Sequence, residues 1–362
     1  MNEEYYMEFA LKLAEIADGQ TMPNPSVGSV IVKDGEIIGY GSHLKAGHAH
    51  AEINALQMAG NRAAGATMYV TLEPCGHFGK TPPCAAAIVK SGIERVVIAS
   101  NDPNPLVAGK GIEMLESAGI QVITGILKEK ADRLNQAFFT YIEKGRPFIT
   151  LKQAITLDGK LAVSPNHGEV ITGKRVQMDV HRDRERHDAI LVGIGTVLAD
   201  DPRLTNRYGI TKKQPVRIIL DTHLRIAPNQ GVILDGSTPT WIFTGSEIAK
   251  EKIDPLSKPH VEIIQLSSPA ISIAEVLTIL AERKITKLYV EGGKTINASL
   301  LKSGMVDQVI TYIAPKIIGG NEAVPMVDDL HVHRMSEAYK LRFKEIQMVG
   351  EDLKILSTLE ER

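Results

Sequence analysis

The chain has 362 residues, 43% of them apolar and 23% charged, with a formal net charge of −2 and a pI near 6.6. That balance offers no basic footprint for nucleic acid or an anionic membrane, and no apolar run approaches the roughly 18–20 residues that span a bilayer. A chain this long exceeds the usual size of one hydrophobic core, so two domains are expected.

The acidic start, MNEEYYMEFALKLAEIA, reads as an amphipathic helix and lacks the basic n-region and apolar core of a secretory signal. SVGSVIVKDGEIIGYG reads as a hairpin turning at Asp34-Gly35. HAEINALQMAG is a short helix closed by Gly60. TMYVTLEP is a strand, CAAAIVKSG a helix, ERVVIAS a strand, GKGIEMLESAG a helix and QVITGI a last strand. That rhythm belongs to a sheet covered by helices. A polar Gly/Pro punctuation follows at Glu143-Lys144-Gly145-Arg146-Pro147, after which the alternation restarts. PFITLKQAITLDGKLAV leads to a charged helix, VQMDVHRDRERH, and a buried strand, AILVGIG; PVRIILDT, TPTWIFT, KLYVEGG and VDQVITYIAPKII are further strands. The expected domains are 1–145 and 146–362, both α/β, the second large enough for its own core and chemistry. Neither repeats nor low-complexity segments are present.

Cys75 and Cys84 are the only cysteines. So few thiols, and no signal sequence, point to a reducing cytoplasm, where paired cysteines serve metals or catalysis more often than disulfides. Catalytic zinc commonly takes three protein ligands and leaves a fourth position open. Cys75 ends a strand after Pro74, Cys84 opens a helix after Pro82-Pro83, and His50, in His50-Ala51-Glu52 at a helix start, is the third candidate. These residues match the H-x-E and P-C halves of the zinc-deaminase pattern, whose Glu moves protons and does not bind metal. They depart from it in having eight residues between the cysteines instead of two. A zinc ion so held would lower the pKa of water toward neutrality. Glu52 would then take the proton and pass it to a ring nitrogen and to departing ammonia. A Cys75–Cys84 disulfide is one alternative, and a closed structural zinc with His48 or His77 as fourth ligand is another. Gly76-His77-Phe78-Gly79-Lys80-Thr81 sets N–H groups, cations and a hydroxyl beside the metal, a composition that suits a phosphate or a plain solvated turn.

The pattern His50-Ala51-Glu52 with Pro74-Cys75-Gly76-His77-Phe78-Gly79-Lys80-Thr81-Pro82-Pro83-Cys84 resembles the bifunctional riboflavin-biosynthesis deaminase/reductases. The resemblance implies a cytidine-deaminase-like three-layer αβα domain followed by a dihydrofolate-reductase-like α/β domain. In the first, one zinc ion held by His50, Cys75 and Cys84, with Glu52 as catalytic residue, would hydrolyse an amino group of 2,5-diamino-6-(5-phosphoribosylamino)pyrimidin-4(3H)-one. Asn24 in PNPSVG, His43, His77, Lys80, and Asp102 and Asn104 in DPNPLVAGKG match the family's substrate segments. Asn24 would meet the ring edge and the cations the phosphate. Asn-Pro and Asp-Pro are also good turn formers.

In the second unit, ILVGIGTVLADDPRLTNR and KLYVEGGKTINASLL each run a strand into glycines where a phosphate could approach a helix start. Neither is G-x-G-x-x-G, and tight strand–helix packing explains them equally well. Arg184, within HRDRERH, and Arg207 are candidates for a second anion, against the reading of a solvated helix face. LKQAITLDGKLA, TVLADDPRLTNR, LDT and VEGGKT resemble the family's reductase domain. By that resemblance Ala154, Thr196, Asp200, Thr222 and Gly293, Lys294, Thr295, Ile296, Asn297, Ala298 and Ser299 line NADPH. Lys152, Arg184, Leu204, Arg207 and Glu291 hold a substrate whose ribosyl arm is reduced at C1′ to a ribityl chain. In NHGEVIT the chain departs from the family: Gly168 and Val170 stand where Ser and Trp are usual, which predicts an active reductase with altered affinity.

Two rivals share part of this pattern. A nucleic-acid or nucleoside base deaminase with an accessory domain would predict a basic surface and a short inter-cysteine spacing. A zinc module for protein contacts would need a fourth ligand and gives Glu52 no role. The expected partners are small phosphorylated pyrimidines, with neither nucleic acid nor membrane, in a cytoplasmic homo-oligomer.

Overall fold

The structure, a computed structural model, describes residues 3–76, 82–105, 107–165, 169–208 and 213–360. His77, Lys80 and Gly168 lie outside the described residues. The chain divides into two units, Met1–Arg146 and Pro147–Arg362.

The first unit contains α1 (Glu3–Glu15), β1 (Gly28–Lys33), β2 (Glu36–Ser42), α2 (Ala51–Ala59), β3 (Thr67–Leu72), α3 (Cys84–Lys90), β4 (Arg95–Ser100), α4 (Lys110–Ser117), β5 (Gln121–Thr124), α5 (Lys128–Leu134) and α6 (Gln136–Lys144). β1 and β2 form the expected hairpin, and Asp34 and Gly35 both take positive φ, as a tight hairpin turn demands. The sheet order is β2-β1-β3-β4-β5, with β1 antiparallel to β2 and β3 and the rest parallel. Alternation along the strands splits the apolar residues between two cores. Ile31, Met68, Val70 and Ile98 meet Ala51 and Ala55 of α2, Ile88 of α3 and Leu115 of α4. Val30, Val32, Tyr69 and Val97 meet Met7, Ala10 and Leu11 of α1 and Ala131 of α5. Three layers result.

The second unit contains β6 (Phe148–Thr156), β7 (Lys160–Ala162), α7 (Lys174–Glu185), β8 (Ala189–Gly193), α8 (Ile194–Asp200), β9 (Val216–Leu220), α9 (Gly231–Leu234), β10 (Thr240–Thr244), α10 (Lys250–Ile253), β11 (Val261–Gln265), α11 (Ile273–Glu282), β12 (Lys287–Val290), α12 (Lys294–Ser303), β13 (Gln308–Ala314), β14 (Val324–Pro325), β15 (Leu341–Val349) and β16 (Asp352–Leu359). Its nine-stranded sheet runs β11-β10-β9-β8-β12-β6-β13-β16-β15. From β11 to β13 in that order the strands are mutually parallel; β16 is antiparallel to β13, and β15 is antiparallel to β16. Near-continuous apolar strands such as Ala189–Gly193 are what a sheet buried on both faces requires. Leu191, Ile218 and Leu288 pack on α11 and α12, and Ile190, Ile219 and Tyr289 pack on α7 and α8. The strand expected over VDQVITYIAPKII stops at Ala314 because Pro315 has no N–H to continue the ladder. No helix among the described residues is long and apolar enough to cross a membrane.

Candidate functional site

In the first unit the candidate site forms where β2, α2, the segment after β3 and the start of α3 converge. α2 lies hard against β2: a Cβ on Gly41 would stand 2.4 Å from the Ala51 carbonyl oxygen, and one on Gly39 2.4 Å from that of Ala55. The two glycines set the depth at which the first turn of α2 delivers His50, its N-cap, and Glu52. The other side is equally tight. A Cβ on Gly111 would stand 1.9 Å from the Pro74 carbonyl oxygen, which seats α4 against the residues leading into Cys75.

His50, Cys75 and Cys84 each offer one ligand atom, all within 4.8 Å of one another. His50 Nδ1 is 3.3 Å from Cys84 Sγ and 3.8 Å from Cys75 Sγ. Zinc bond lengths of about 2.3 Å to sulfur and 2.05 Å to nitrogen, opened to the tetrahedral angle, put N and S about 3.6 Å apart, so the donor set fits zinc. Both cysteines are free thiols, and the Cys84 N–H donates to Cys75 Sγ at 3.2 Å. Hydrogen bonding from Cys84, with help from His50, holds the Cys75 thiol down to about 4. The same sulfur contact, with burial, pushes the Cys84 thiol up. Among the described residues no fourth donor joins this group.

Glu52 is 3% exposed, and its Oε2 is buried without a hydrogen-bond partner. Burial raises its carboxyl above the ordinary value, against the pull of His50. A carboxyl raised in this way accepts a proton more readily than an exposed one and can return it. His43, equally buried, spends both ring nitrogens within the protein: Nδ1 on the Ala49 carbonyl at 3.1 Å and Nε2 on Asn24 Nδ2 at 3.2 Å. Burial lowers its pKa, so the ring is neutral, donates from Nδ1 and accepts the Asn24 amide. Its contribution is thus to aim Asn24 and, edge to face at 5.1 Å, to support the His50 ring.

Glu73 was missing from the sequence reading. It is buried, and its carboxylate accepts N–H groups of Gly109 and Gly111 at 3.1 Å, Asp102 at 3.4 Å and Ile112 at 3.5 Å. It thereby ties the loop that carries Asp102 and Asn104 to the strand end that carries Cys75. Asp102 Oδ1 accepts the Asn104 N–H at 2.8 Å. Glu73 directly precedes Pro74-Cys75, so the signal was present, but the N–H groups that donate to it lie 29–39 residues downstream.

In the second unit the residues expected at the cofactor fall along one rim. Thr222 follows β9, Thr196 and Asp200 sit on α8 after β8, Gly293 caps α12 after β12, and Ala154 lies on β6. These strands are consecutive in the sheet, and that carboxyl rim is where open parallel sheets take nucleotides. A Cβ on Gly195 or Gly293 would meet nothing within 4 Å, and Gly293 leaves α12 without a side-chain cap. The open space and free N–H groups fit a dinucleotide phosphate. Asn297 and Ala298 turn inward; Asn297 Nδ2 donates to the Met326 carbonyl at 2.7 Å, anchoring the neighbouring loop. Lys294 and Thr295 contact Asp328, and Ser299 Oγ donates to the Thr295 carbonyl.

Lys152, Arg184 and Glu291 form one charged cluster. Arg184 Nε and NH2 reach the two Glu291 oxygens at 2.6 and 3.0 Å, its NH1 donates to the Thr205 carbonyl at 3.0 Å, and Lys152 Nζ lies 3.8 Å from Glu291. Burial opposes the Glu291 charge, but Arg184 and Lys152 outweigh it and hold the carboxyl at about 2. Leu204 is buried with φ +50°, a strained conformation in the turn leading to Arg207. His181, another residue not anticipated, accepts the Arg207 N–H at 3.1 Å and stands edge-on to Tyr208. Val170 is exposed.

The fold and the donor set define a two-domain enzyme, a zinc-type hydrolytic deaminase unit joined to a reductase unit of the NADPH-dependent kind. The cytidine and deoxycytidylate deaminase zinc-binding region matches residues 1–100, and the RibD C-terminal domain matches residues 147–355. The riboflavin biosynthesis protein RibD of Bacillus amyloliquefaciens is 48% identical, over 98% of this chain and 95% of its own. That of Escherichia coli is 39% identical over 98% of each. Two solved structures superpose over nearly the whole chain. Acinetobacter baumannii RibD does so with a TM-score of 0.89 at 36% identity, covering 99% of each chain. The Thermotoga maritima diaminohydroxyphosphoribosylaminopyrimidine deaminase/5-amino-6-(5-phosphoribosylamino)uracil reductase gives 0.88 at 37%, covering 99% of this chain and 98% of its own. The chain belongs to the RibD family of bifunctional riboflavin-biosynthesis deaminase/reductases. Its two units have the expected fold class, cytidine-deaminase-like and then dihydrofolate-reductase-like.

Proposed function

We propose that residues 1–145 hydrolyse an amino group of 2,5-diamino-6-(5-phosphoribosylamino)pyrimidin-4(3H)-one and that residues 146–362 then reduce the ribosyl arm, giving 5-amino-6-(5-phosphoribitylamino)uracil. One observation carries the first half: three donor atoms at zinc-ligand spacing, with the buried Glu52 carboxyl, whose Oε2 has no hydrogen-bond partner, in the helix turn that begins at His50.

His50, Cys75 and Cys84 would hold the zinc, which when bound supplies Lewis acidity that lowers the pKa of water toward neutrality. The Glu52 carboxylate accepts the proton of the attacking water, returns it to a ring nitrogen, and completes the transfer as ammonia leaves. Its raised pKa lets one group do both. Asn24, aimed by His43, addresses the ring edge, and Asp102 and Asn104 approach from the loop tied by Glu73. His77 and Lys80 are assigned the phosphate.

In the reduction, NADPH supplies the hydride. Ala154, Thr196, Asp200, Thr222 and residues 293–299 line its site, Asn297 and Ala298 from beneath. Lys152, Arg184, Arg207 and Glu291 hold the substrate, and Leu204 contributes through its backbone. The substrate opens to an imine; hydride adds at C1′ and a proton goes to the nitrogen. Gly168 and Val170, in place of Ser and Trp, alter affinity and leave the reaction intact. The enzyme works in the cytoplasm on small phosphorylated pyrimidines, as a homo-oligomer.

The test supplies zinc-loaded protein with the diaminopyrimidinone phosphate. Ammonia is released without NADPH, and NADPH is oxidised only after ammonia appears. Absence of ammonia release would overturn the deaminase reading, and absence of NADPH oxidation with the deaminated product would overturn the reductase reading.

A further inference from the structure

Asn24, assigned above to the ring edge of the substrate, sits in the stretch Pro23-Asn24-Pro25-Ser26, which precedes β1 and lies outside its ladder. Proline has no N–H, so this stretch has two backbone donors, at Asn24 and Ser26. The first closes a turn on the Thr21 carbonyl at 2.9 Å. The second is spent on a residue 109 positions away in the chain.

That residue is Asn135. Its Oδ1 accepts the Ser26 N–H at 2.9 Å, and its Nδ2 donates to the Ser26 carbonyl at 3.0 Å. One side chain thus takes both backbone groups of one residue, as a neighbouring antiparallel strand would. Asn135 and Ser26 are 3% and 5% exposed, so both bonds are shielded from competing water. Asparagine suits the task because its short arm carries an acceptor and a donor together; aspartate lacks the donor and leucine lacks both.

The anchor is itself fixed. Asn135 stands where α5 ends and α6 begins, its N–H donating to the Ala131 carbonyl at 3.1 Å and its carbonyl accepting the Phe139 N–H at 3.0 Å. One turn back, Ala131 is buried in the core with Val30 and Val97, and Asp132 accepts the Ser100 hydroxyl at the end of β4. On the other side of Ser26, the Val27 carbonyl accepts the His43 N–H at 2.9 Å, and His43 Nε2 in turn accepts the Asn24 amide. Asn24 is therefore bracketed, by the Thr21 turn before it and by the Asn135 clamp two residues after it.

We propose that Asn135 is a positioning residue of the deaminase site: by holding Ser26 at both backbone groups it sets where Asn24 stands, and through Asn24 how the pyrimidine ring is oriented for attack. This rests on the reading of Asn24 as a ring contact given above.

A double-mutant cycle on the full, zinc-loaded chain tests it, with ammonia release from the diaminopyrimidinone phosphate as the assay. Asn135→Asp keeps the acceptor, loses the donor and sets a carboxylate oxygen against the Ser26 carbonyl. It should lower deaminase kcat/KM by about tenfold, mostly through KM, with zinc content and NADPH oxidation unchanged. Asn24→Ala should lower it at least as far. In the Asn24→Ala background, Asn135→Asp should cost about twofold or less, because the residue it positions is gone. Asn135→Ser, smaller and uncharged, should show the same coupling and serves if the carboxylate prevents folding. An undiminished loss in the Asn24→Ala background, or wild-type kinetics for Asn135→Asp and Asn135→Ser, overturns the positioning role while the Asn24 contact stands. Wild-type kinetics for Asn24→Ala overturn that contact and the proposal with it. Wild-type protein that releases no ammonia overturns the function from which both are drawn.

Discussion

Glu52→Gln separates proton transfer from everything else the deaminase site does. The change is isosteric. Glu52 stands outside the three-atom donor group, so zinc content is expected to remain at the wild-type level. Burial already disfavours the Glu52 charge, so a neutral amide in its place costs the fold little, and Tm should hold or rise slightly. The amide cannot take a proton from water. At 3% exposure the position is shielded from bulk solvent, so a bulk base does not take over the role. The full general acid–base contribution, about 10²–10⁴-fold, should therefore disappear from kcat. That is about 3–5 kcal/mol of transition-state stabilisation. Ammonia release, followed by a coupled glutamate dehydrogenase assay on protein of measured zinc content, gives kcat and KM. NADPH oxidation with the deaminated substrate serves as an internal control and should not change. Zinc-replete Glu52→Gln protein that releases ammonia within tenfold of wild type would refute the assignment.

Gly41→Val drives side-chain atoms into the Ala51 carbonyl, so α2 must lift; overpacking of this kind costs about 1–3 kcal/mol. Zinc content and deamination should fall together while NADPH oxidation persists. Glu73→Ala leaves its buried N–H donors without an acceptor, at about 1–3 kcal/mol each where water cannot enter. A raised deaminase KM and a lower Tm of the first unit are expected, with Glu73→Gln recovering part of both. Glu291 has a native pKa of about 2, below its unfolded value, so its contribution is present above pH ~4.5 and is lost as pH falls toward 2. Across that window the second unit should lose about 3 kcal/mol that Glu291→Gln protein does not, measured by denaturant unfolding at each pH.

Local chemistry was legible wherever the chain writes it locally. The Asp34-Gly35 turn, the Gly60 stop after α2, the Pro82-Pro83 entry to α3 and the strand-to-glycine steps at Gly193 and Gly293 each depend on a few adjacent residues, and each is where expected. α11 and the β15–β16 hairpin were not anticipated. In β15 a helix-like apolar spacing at positions 343 and 346 conceals a strand whose alternation is interrupted by a bulge, and only pairing with β16 reveals the bulge.

By itself the sequence determined the inventory of the site: which residue types are available to bind zinc, move a proton or meet a phosphate, and roughly which ends of helices and strands carry them. Only the tertiary structure decided how that inventory is assembled, because its distances are set by contacts remote in the chain. The carbonyl of Ala51 against Gly41 fixes the depth of His50, and the carbonyl of Pro74 against Gly111 fixes the approach to Cys75. Glu73 reaches 39 residues ahead to hold the Asp102 loop, and Glu291 reaches back 107 to Arg184. No window of sequence contains both partners of such a contact, so the pattern names them singly and packing alone pairs them.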